Sequence, residues 1–254
     1  MSDKTPLLVT EKLEKSFGGV VAAGNISISV DRGEQVAIIG SNGAGKTTFV
    51  NMVTGYLTPT SGSVRYLGRD ITGLNPRLTA RAGIRRSFQI AQLFPQMTAL
   101  ENMIITDIAA NEAGGSFRAR SLTDARMDAA MALLKRFGLD GVANEPTGTL
   151  PQGVRKQLDI AMAAVNDPAL ILLDEPTSGV SADEKMDMMD SVIQPLISDD
   201  ATIMFIEHDM DIVRRYAHRV IAFYEGQILI DGSVEEVLAD DKVRQYVIGG
   251  TAHA

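Results

Sequence analysis

A glycine-rich segment constrains the fold of this chain more than any other feature of its sequence. Residues 40–47 read GSNGAGKT and fit the pattern G-x-x-x-x-G-K-[ST] in full. The apolar run QVAII precedes the segment, and residues 46–54 predict a helix that ends before Gly55. A strand, a loop of this composition and a helix form a phosphate-binding unit, because the glycines let successive backbone N–H groups point inward at the helix N-terminus. A glycine-rich turn without a ligand is the weaker alternative.

The side chains of this loop have distinct expected tasks. Lys46 is expected to bridge the outer phosphates of a nucleotide, and the Thr47 hydroxyl is expected to ligate Mg²⁺. The residues that we expect to contact the nucleotide here are Gly40, Ser41, Asn42, Gly43, Ala44, Gly45, Lys46, Thr47 and Thr48. The loop therefore predicts a nucleotide polyphosphate with its Mg²⁺ as the ligand.

A pair of acids follows the continuous apolar run at residues 170–173. Asp174 and Glu175 would lie at the carboxyl end of a buried strand, which is the end that faces the ligand crevice in open α/β sheets. Neighbouring strand residues point to opposite sides, so the two acids can have different tasks. We expect Asp174 to hold Mg²⁺, through its waters, and Glu175 to orient and deprotonate the attacking water. A solvated strand end or a helix cap is the alternative for this pair.

His208 follows a third run of this kind, at residues 202–207. At the end of a strand its imidazole could hydrogen-bond a γ-phosphate and sense its loss. The alternative, a histidine with a structural role only, stays open at this point.

Composition narrows the classes of function. The 24 Lys and Arg against 32 Asp and Glu give a net charge of −8, which argues against a surface that coats nucleic acid. The absence of cysteine excludes disulfides, thiolate zinc sites and cysteine nucleophiles. No apolar run approaches the roughly 18 residues of a membrane-spanning helix, so any membrane role would be peripheral.

Hydrophobic patterning predicts an α/β fold without repeats or a long linker. Short or alternating runs predict strands at 7–10, 26–30 and 63–66. Continuously apolar runs predict buried strands at 35–39, 170–173 and 202–206, and two further strands are expected at 220–224 and 227–230. Capping signals predict helices that begin after Thr123, Ser181 and Ser233. We expect one domain over residues 1–254, with a mainly parallel P-loop NTPase core, an antiparallel β subdomain and a helical insert at about residues 90–164.

In their order along the chain, five motifs resemble those of the ATP-binding subunits of ABC transporters. They are GSNGAGKTT at 40–48, SFQ at 87–89, LPQGV at 150–154, LILLDEPTSG at 170–179 and IEHD at 206–209. Within that family the chain is most similar to the ATPases of branched-chain amino acid importers and of their relatives for urea, amides and aromatic acids. This finer resemblance is carried by KSFGG at 15–19, RRSFQIAQLFPQMTALENM at 85–103, IEHDM at 206–210 and GSVEEVLAD at 232–240.

The resemblance implies a function, partners and further site residues. It implies ATP hydrolysis with Mg²⁺ by a cytoplasmic subunit at the inner face of the membrane, bound to permeases and to a second ATPase subunit. A periplasmic binding protein would act indirectly, and nucleic acid would not be a partner. Phe17 would stack on adenine, with a buried core position as its alternative. Gln89 would reach Mg²⁺ or the attacking water, and residues 90–103 would line the groove for a permease helix.

The family signature Leu-Ser-Gly-Gly-Gln, which faces the ATP of the opposing subunit, is replaced here. The segment consists of Leu150, Pro151, Gln152, Gly153 and Val154. Proline has no hydroxyl or N–H to offer, although it suits the first turn of a helix, here expected at 152–164. A catalytically weak, mainly structural subunit is therefore one alternative, and a soluble ABC-type clamp on DNA or ribosomes is the other.

Overall fold

The structure, a computed structural model, describes residues 5–111, 123–198 and 201–249. Its strands are β1 Leu8–Phe17, β2 Val20–Val30, β3 Gln35–Gly40, β4 Ser61–Tyr66, β5 Arg69–Asp70, β6 Ile84–Arg86, β7 Leu170–Asp174, β8 Thr202–Ile206, β9 Arg219–Tyr224 and β10 Gln227–Ser233. Its helices are α1 Lys46–Val53, α2 Pro76–Ala82, α3 Ala99–Asn111, α4 Asp124–Arg136, α5 Gln152–Ala163, α6 Lys185–Ser198, α7 Met210–Tyr216, α8 Val234–Ala239 and α9 Asp241–Val243.

Two sheets organise these elements. One is antiparallel, in the order β2-β1-β4-β5, and the other has the order β10-β9-β3-β8-β7-β6. In the second sheet every pair is parallel except β10 with β9 at the edge. The predicted fold class, a mainly parallel core with an antiparallel β layer, is confirmed. The short strands β5 and β6 were not predicted from the sequence.

The central strands separate two hydrophobic clusters. Along β3, Val36 and Ile38 belong to one cluster, while Ala37 and Ile39 belong to the other. This period of two is the pattern of a strand that is buried on both faces. The first cluster includes α1 and the antiparallel sheet, and the second includes α3, α4, α5 and α6. The sheet therefore has the phosphate loop helix on one face and the helices of the predicted insert on the other.

Three helices, α3, α4 and α5, occupy the predicted insert, of which residues 112–122 lie outside the described part. The Thr123 side chain caps α4 by accepting from the Arg126 N–H, and the capping box at Ser233 is present. The capping box predicted at Ser181 is wrong: the Ser181 hydroxyl bonds the Glu184 carboxylate at 2.8 Å, and α6 begins at Lys185. The N–H groups of Glu184 and Lys185 both donate to the Ser181 carbonyl instead, so Ser181 begins the turn that leads into α6.

Candidate nucleotide-binding site

Four chain segments leave the carboxyl ends of neighbouring parallel strands at one edge of the sheet. The glycine-rich loop follows β3, Gln89 follows β6, Glu175 follows β7 and His208 follows β8. In open α/β sheets this edge carries the ligand crevice. The topology therefore brings together residues that lie far apart in the sequence.

The glycine-rich loop encloses the side chain of its lysine. Lys46 is buried, and its Nζ donates to the carbonyls of Gly40 at 2.6 Å and Ser41 at 2.9 Å. Gly45 has φ 97°, and a Cβ there would come within 2.7 Å of the Ala22 carbonyl oxygen. Both the left-handed backbone and the close approach require glycine at this position. The loop is therefore shaped by its own backbone around one ammonium group.

Helix α1 begins at this loop without a side-chain cap. Gly45 is its N-cap residue and makes no side-chain hydrogen bond to the first turn. The first N–H groups of a helix have no partner within the helix, and the helix dipole places partial positive charge there. Thr47 is exposed on this first turn. A phosphate group fits these donors and the buried ammonium.

Burial lowers the pKa of Lys46, while the nearby carboxylates of Glu175 and Asp174 act in the opposite direction. The strand-end acids therefore favour the charged ammonium inside the loop. This electrostatic link joins the glycine-rich loop to the end of β7.

Asp174, at the end of β7, is buried and forms an ion pair with Arg86. Arg86 also donates to Asn51 Oδ1 of α1 at 2.5 Å, and its guanidinium lies over the rings of Tyr56 and Phe88. No sequence pattern predicts a role for Arg86, because its partners are far from it in the chain. Asp174 is thus held beside α1, on the side of the sheet that carries the loop helix.

Glu175 lies between Gln89 and His208. Its Oε2 accepts from Gln89 Nε2 at 2.7 Å, and its Oε1 lies 3.2 Å from His208 Nε2. Glu175 has φ 47°, a left-handed conformation that is uncommon for a residue with a side chain. Such geometry at a strand end is frequent at functional sites. The structure thus brings the three expected catalytic side chains into one cluster.

Glu207, a buried residue next to this cluster, stabilises it through hydrogen bonds. Its role was not predicted from the sequence. Its carboxylate accepts from the Thr177 hydroxyl at 2.6 Å and from the His208 N–H at 3.1 Å. The acid before His208 in the sequence was a signal, but only the fold shows that it joins the loops after β7 and β8.

A profile of the family described as ABC transporter matches residues 23–178. The chain belongs to the ABC transporter family. It is an ATP-binding protein and an ATPase of that family. The family resemblance predicted from the motifs is therefore confirmed.

Similarity to individual ABC transporter proteins extends over nearly the whole chain. The high-affinity branched-chain amino acid transport ATP-binding protein BraF of Pseudomonas aeruginosa is 33% identical over 251 residues, covering 96% of this chain and 98% of that protein. LivG of Salmonella typhimurium, described in the same words, is 34% identical, covering 95% and 98%. A probable branched-chain amino acid transport ATP-binding protein LivG of Methanocaldococcus jannaschii is 34% identical over 257 residues, covering 98% and 100%.

Solved ATP-binding cassettes share the fold. The ADP conformation of MJ1267, an ATP-binding cassette of an ABC transporter, matches with a TM-score of 0.85 and 32% identity over 95% of this chain and 98% of that one. A nucleotide-free ATP-binding cassette from an ABC transporter matches with a TM-score of 0.84 and 30% identity over the same shares. The ABC ATPase fold therefore includes both sheets and the helices that pack against them.

Phe17 is 53% exposed at the end of β1, so the alternative of a buried core phenylalanine is wrong. Lys15 Nζ lies 5.3 Å from the centre of its ring. The neighbouring β2 reaches the phosphate loop through the β9–β10 turn: the Gly24 N–H donates to the Gly226 carbonyl and the Gly226 N–H donates to the Ala44 carbonyl. An exposed ring at this end of the ABC ATPase is available for stacking, and adenine stacking stays a prediction.

The segment in the place of the ABC signature is exposed at the start of α5. Pro151 is the N-cap residue and makes no side-chain cap, while Leu150 is buried beneath it. The Gln152 side chain packs over Gly179, where an added Cβ would come within 2.1 Å of its Nε2. Pro151, Gln152, Gly153 and Val154 therefore form an uncapped helix end, and their contact with a second subunit stays a prediction.

A magnesium ion fits the oxygen groups of this site only together with phosphate. Among residues 5–111, 123–198 and 201–249, no group of three His, Cys, Asp or Glu side chains could hold a metal by itself. Mg²⁺ is usually held by one or two protein oxygens plus substrate phosphates and water. The exposed hydroxyl of Thr47 and the carboxylate of Asp174 are hard oxygen donors of that kind.

Proposed function

We propose that this chain is the ATP-hydrolysing subunit of an ABC importer for branched-chain amino acids or similar small polar solutes. The observation that carries the hydrolytic part is the Glu175 carboxylate, held between Gln89 and His208 at the sheet edge that also carries the phosphate loop. The relatives described as branched-chain amino acid transport proteins support the solute class. Their identity of about a third over nearly full length supports a shared role in transport.

In this proposal the loop amides and Lys46 bind the phosphates of ATP. Thr47 and Asp174 would hold Mg²⁺, which would supply positive charge to the outer phosphates. Glu175 accepts a proton from the attacking water, which Gln89 helps to orient. His208 donates a hydrogen bond to the γ-phosphate. Phe17 stacks on the adenine, a contact of about 1 kcal/mol.

A groove lined by residues of α2, β6, α3 and α5 supports docking of a permease. It has a volume of about 220 Å³, and Tyr56, Arg85, Phe88 and Thr106 are among its lining residues. Tyr56 is 52% exposed. Along the edge of the insert, Ile90 and Phe94 are also exposed, within the segment predicted to meet a permease helix. We propose that a cytoplasmic helix of the permease occupies this groove, with a second ATPase subunit on the side of Pro151.

No helix in the described ranges is both long and apolar enough to cross a membrane. The proposed place of the chain, at the inner face of the membrane, therefore rests on its permease partners. A periplasmic binding protein would deliver the solute to those partners without contacting this chain.

Reconstitution tests the proposed function. The chain, its permeases, its ATPase partner and its binding protein would be placed in liposomes, and uptake of labelled leucine would be measured with and without ATP. We expect ATP-dependent uptake that is lost with Glu175→Gln. Uptake of only another solute, such as urea, would contradict the amino acid assignment, and uptake that persists in the variant would contradict the role of Glu175.

A further inference from the structure

Two buried charged side chains on α5 face the catalytic cluster and lie outside the set of residues proposed to bind or hydrolyse ATP. Lys156 and Asp159 are both buried, although lysine and aspartate are almost never fully buried unless paired. They lie three residues apart and therefore on the same face of the helix. A buried lysine and a buried aspartate on one helix face need partners, and those partners are backbone groups of the two catalytic segments.

Lys156 holds the backbone of Glu175. Its Nζ donates to the Glu175 carbonyl at 2.9 Å, and the Ser178 N–H donates to the same oxygen at 3.1 Å. On the other side of the residue, the Glu175 N–H donates to the Ile206 carbonyl at 3.1 Å. Glu175 has φ 47°, which is costly for a residue with a Cβ and persists only where surrounding contacts impose it. Lys156 supplies one of those contacts from a helix of the insert.

Asp159 holds the segment that contains Gln89. Its Oδ2 accepts from the Phe88 N–H at 2.9 Å, and its Oδ1 accepts from the Gln92 N–H at 3.0 Å. The two bonds enclose Gln89 between them, and the Gln89 side chain in turn donates to Glu175 at 2.7 Å. One face of α5 is thus hydrogen-bonded to the backbone of both segments whose side chains meet in the Gln89–Glu175 contact.

The charges of this face are balanced locally. Burial lowers the pKa of Lys156, and the carboxylates of Asp159, Asp174, Glu175 and Glu207 act against that shift. Burial raises the pKa of Asp159, while its two backbone hydrogen bonds and Lys156 act against it. Each charge helps to keep the other ionised at a buried position.

We propose that Lys156 and Asp159 are positioning residues through which helix α5 sets the backbone of Glu175 and of the Gln89 segment, so that these two side chains meet. The inference rests on the proposed roles of Glu175 and Gln89. It also gives α5 a physical means of passing a movement of its exposed N-terminus to the catalytic carboxylate, because its first turns and this face belong to one rigid helix.

Replacing Lys156 tests the first half of the proposal. We expect Lys156→Met to lower kcat by roughly tenfold to a hundredfold, the range typical of a displaced catalytic group, with the affinity for MgATP unchanged. Lys156→Arg keeps a donor and is expected to retain most of kcat. Gln157→Met is the matched control, because Gln157 lies on the same helix but bonds the Phe137 carbonyl and Ser191. That variant is expected to keep the wild-type kcat.

A double-mutant cycle separates positioning from general loss of structure. In single-turnover measurements, Lys156→Met is expected to slow hydrolysis far less in the Glu175→Gln background than in the wild type, because both changes act on one carboxylate. The same slowing in both backgrounds, or a wild-type kcat for Lys156→Met, would overturn the proposal. If Lys156→Met does not fold, Lys156→Gln is measured in the same cycle. Normal turnover of Glu175→Gln alone would instead refute the proposed function.

Hydrogen exchange tests the second half. Asp159→Asn keeps one acceptor oxygen but puts an NH2 donor in the place of the other, so at least one of the Phe88 and Gln92 amides is expected to lose its acceptor and to exchange faster. The rest of α5 is expected to keep its protection. Unchanged exchange at these two amides, or equal loss of protection along the whole helix, would show that Asp159 does not position the Gln89 segment.

Discussion

At the scale of single residues, the backbone at Glu175 decides which side chains meet. Strand alternation predicts only that Asp174 and Glu175 point apart. The structure keeps Asp174 on the side of α1, paired with Arg86, and turns the chain at Glu175 through a positive φ of 47°. The Glu175 carboxylate then lies within hydrogen-bonding distance of both Gln89 and His208. A two-residue acidic motif thus becomes two different environments.

The first prediction concerns Glu175 itself. Glu175→Gln keeps the size of the side chain but removes the base, so we expect MgATP binding to persist while hydrolysis slows by about a hundredfold or more. Binding is measured by calorimetry and hydrolysis by phosphate release. Normal phosphate release from this variant would contradict the assignment of Glu175 as the base.

A second prediction compares two glycines of the phosphate loop. Gly45 and Gly43 both have positive φ, but a Cβ at Gly45 would meet the Ala22 carbonyl oxygen at 2.7 Å, whereas Gly43 has nothing within 4 Å. We expect Gly45→Ala to lower the free energy of unfolding by clearly more than the roughly 1 kcal/mol of the left-handed backbone alone. Gly43→Ala is the matched control, expected to lose about that 1 kcal/mol.

Denaturant unfolding of the two glycine variants measures the difference. Equal losses of stability would mean that the approach of β2 to the phosphate loop does not restrict Gly45.

Sequence reasoning found the residues whose neighbours in the chain form a pattern, and it missed those whose partners are distant. Lys46 and the acids at 174 and 175 follow from local motifs. Arg86, Lys156 and Asp159 carry no such pattern, because their partners come from distant segments of the chain: the end of β7 for Arg86, and the loops after β7 and β6 for Lys156 and Asp159. Gln89 was predicted through family resemblance alone, since nothing in its own segment indicates a strand.

At the scale of elements, β6 explains why Gln89 belongs to the site. It spans only Ile84–Arg86, too short to stand out in the sequence, yet it pairs in parallel with β7. That pairing places the following residues at the edge where Glu175 lies. The continuously apolar strands β7 and β8 were predicted nearly in full, whereas β1 and β2 extend well beyond their predicted bounds toward their shared turn.

The third prediction concerns the N-terminus of α5. Pro151→Ser adds a hydroxyl and an N–H to a helix end that has no side-chain cap. If that end faces the γ-phosphate of a second subunit, one hydrogen bond to a charged group is worth roughly 1.5–3 kcal/mol, or about tenfold or more in rate.

The comparison is made on the assembled ATPase dimer. We expect faster hydrolysis by Pro151→Ser there and unchanged nucleotide affinity in the isolated chain. An unchanged rate would mean that the signature segment does not act across the interface as proposed.

At the scale of the whole molecule, the six-stranded sheet separates the helix of the phosphate loop from the helices of the insert. One face of the six-stranded sheet packs against α1, the helix of the phosphate loop, and against the antiparallel sheet. The other face packs against α3, α4 and α5. The loops at its carboxyl edge connect the two halves. Under the proposed function, nucleotide bound at that edge would lie next to both the phosphate loop and the helices proposed to meet the permease.

All other roles proposed for this chain depend on the claim that it binds nucleotide through Lys46 and the backbone of its phosphate loop, and calorimetric titration with ATP and Mg²⁺ measures that binding. We expect saturable binding at one site, weakened by roughly tenfold to a hundredfold in Lys46→Ala, because a charged hydrogen-bond donor to phosphate is lost. Lys135→Ala, on the exposed side of α4, is the control and is expected to bind as the wild type does. No heat of binding in the wild type, or equal affinity in Lys46→Ala, would contradict the claim.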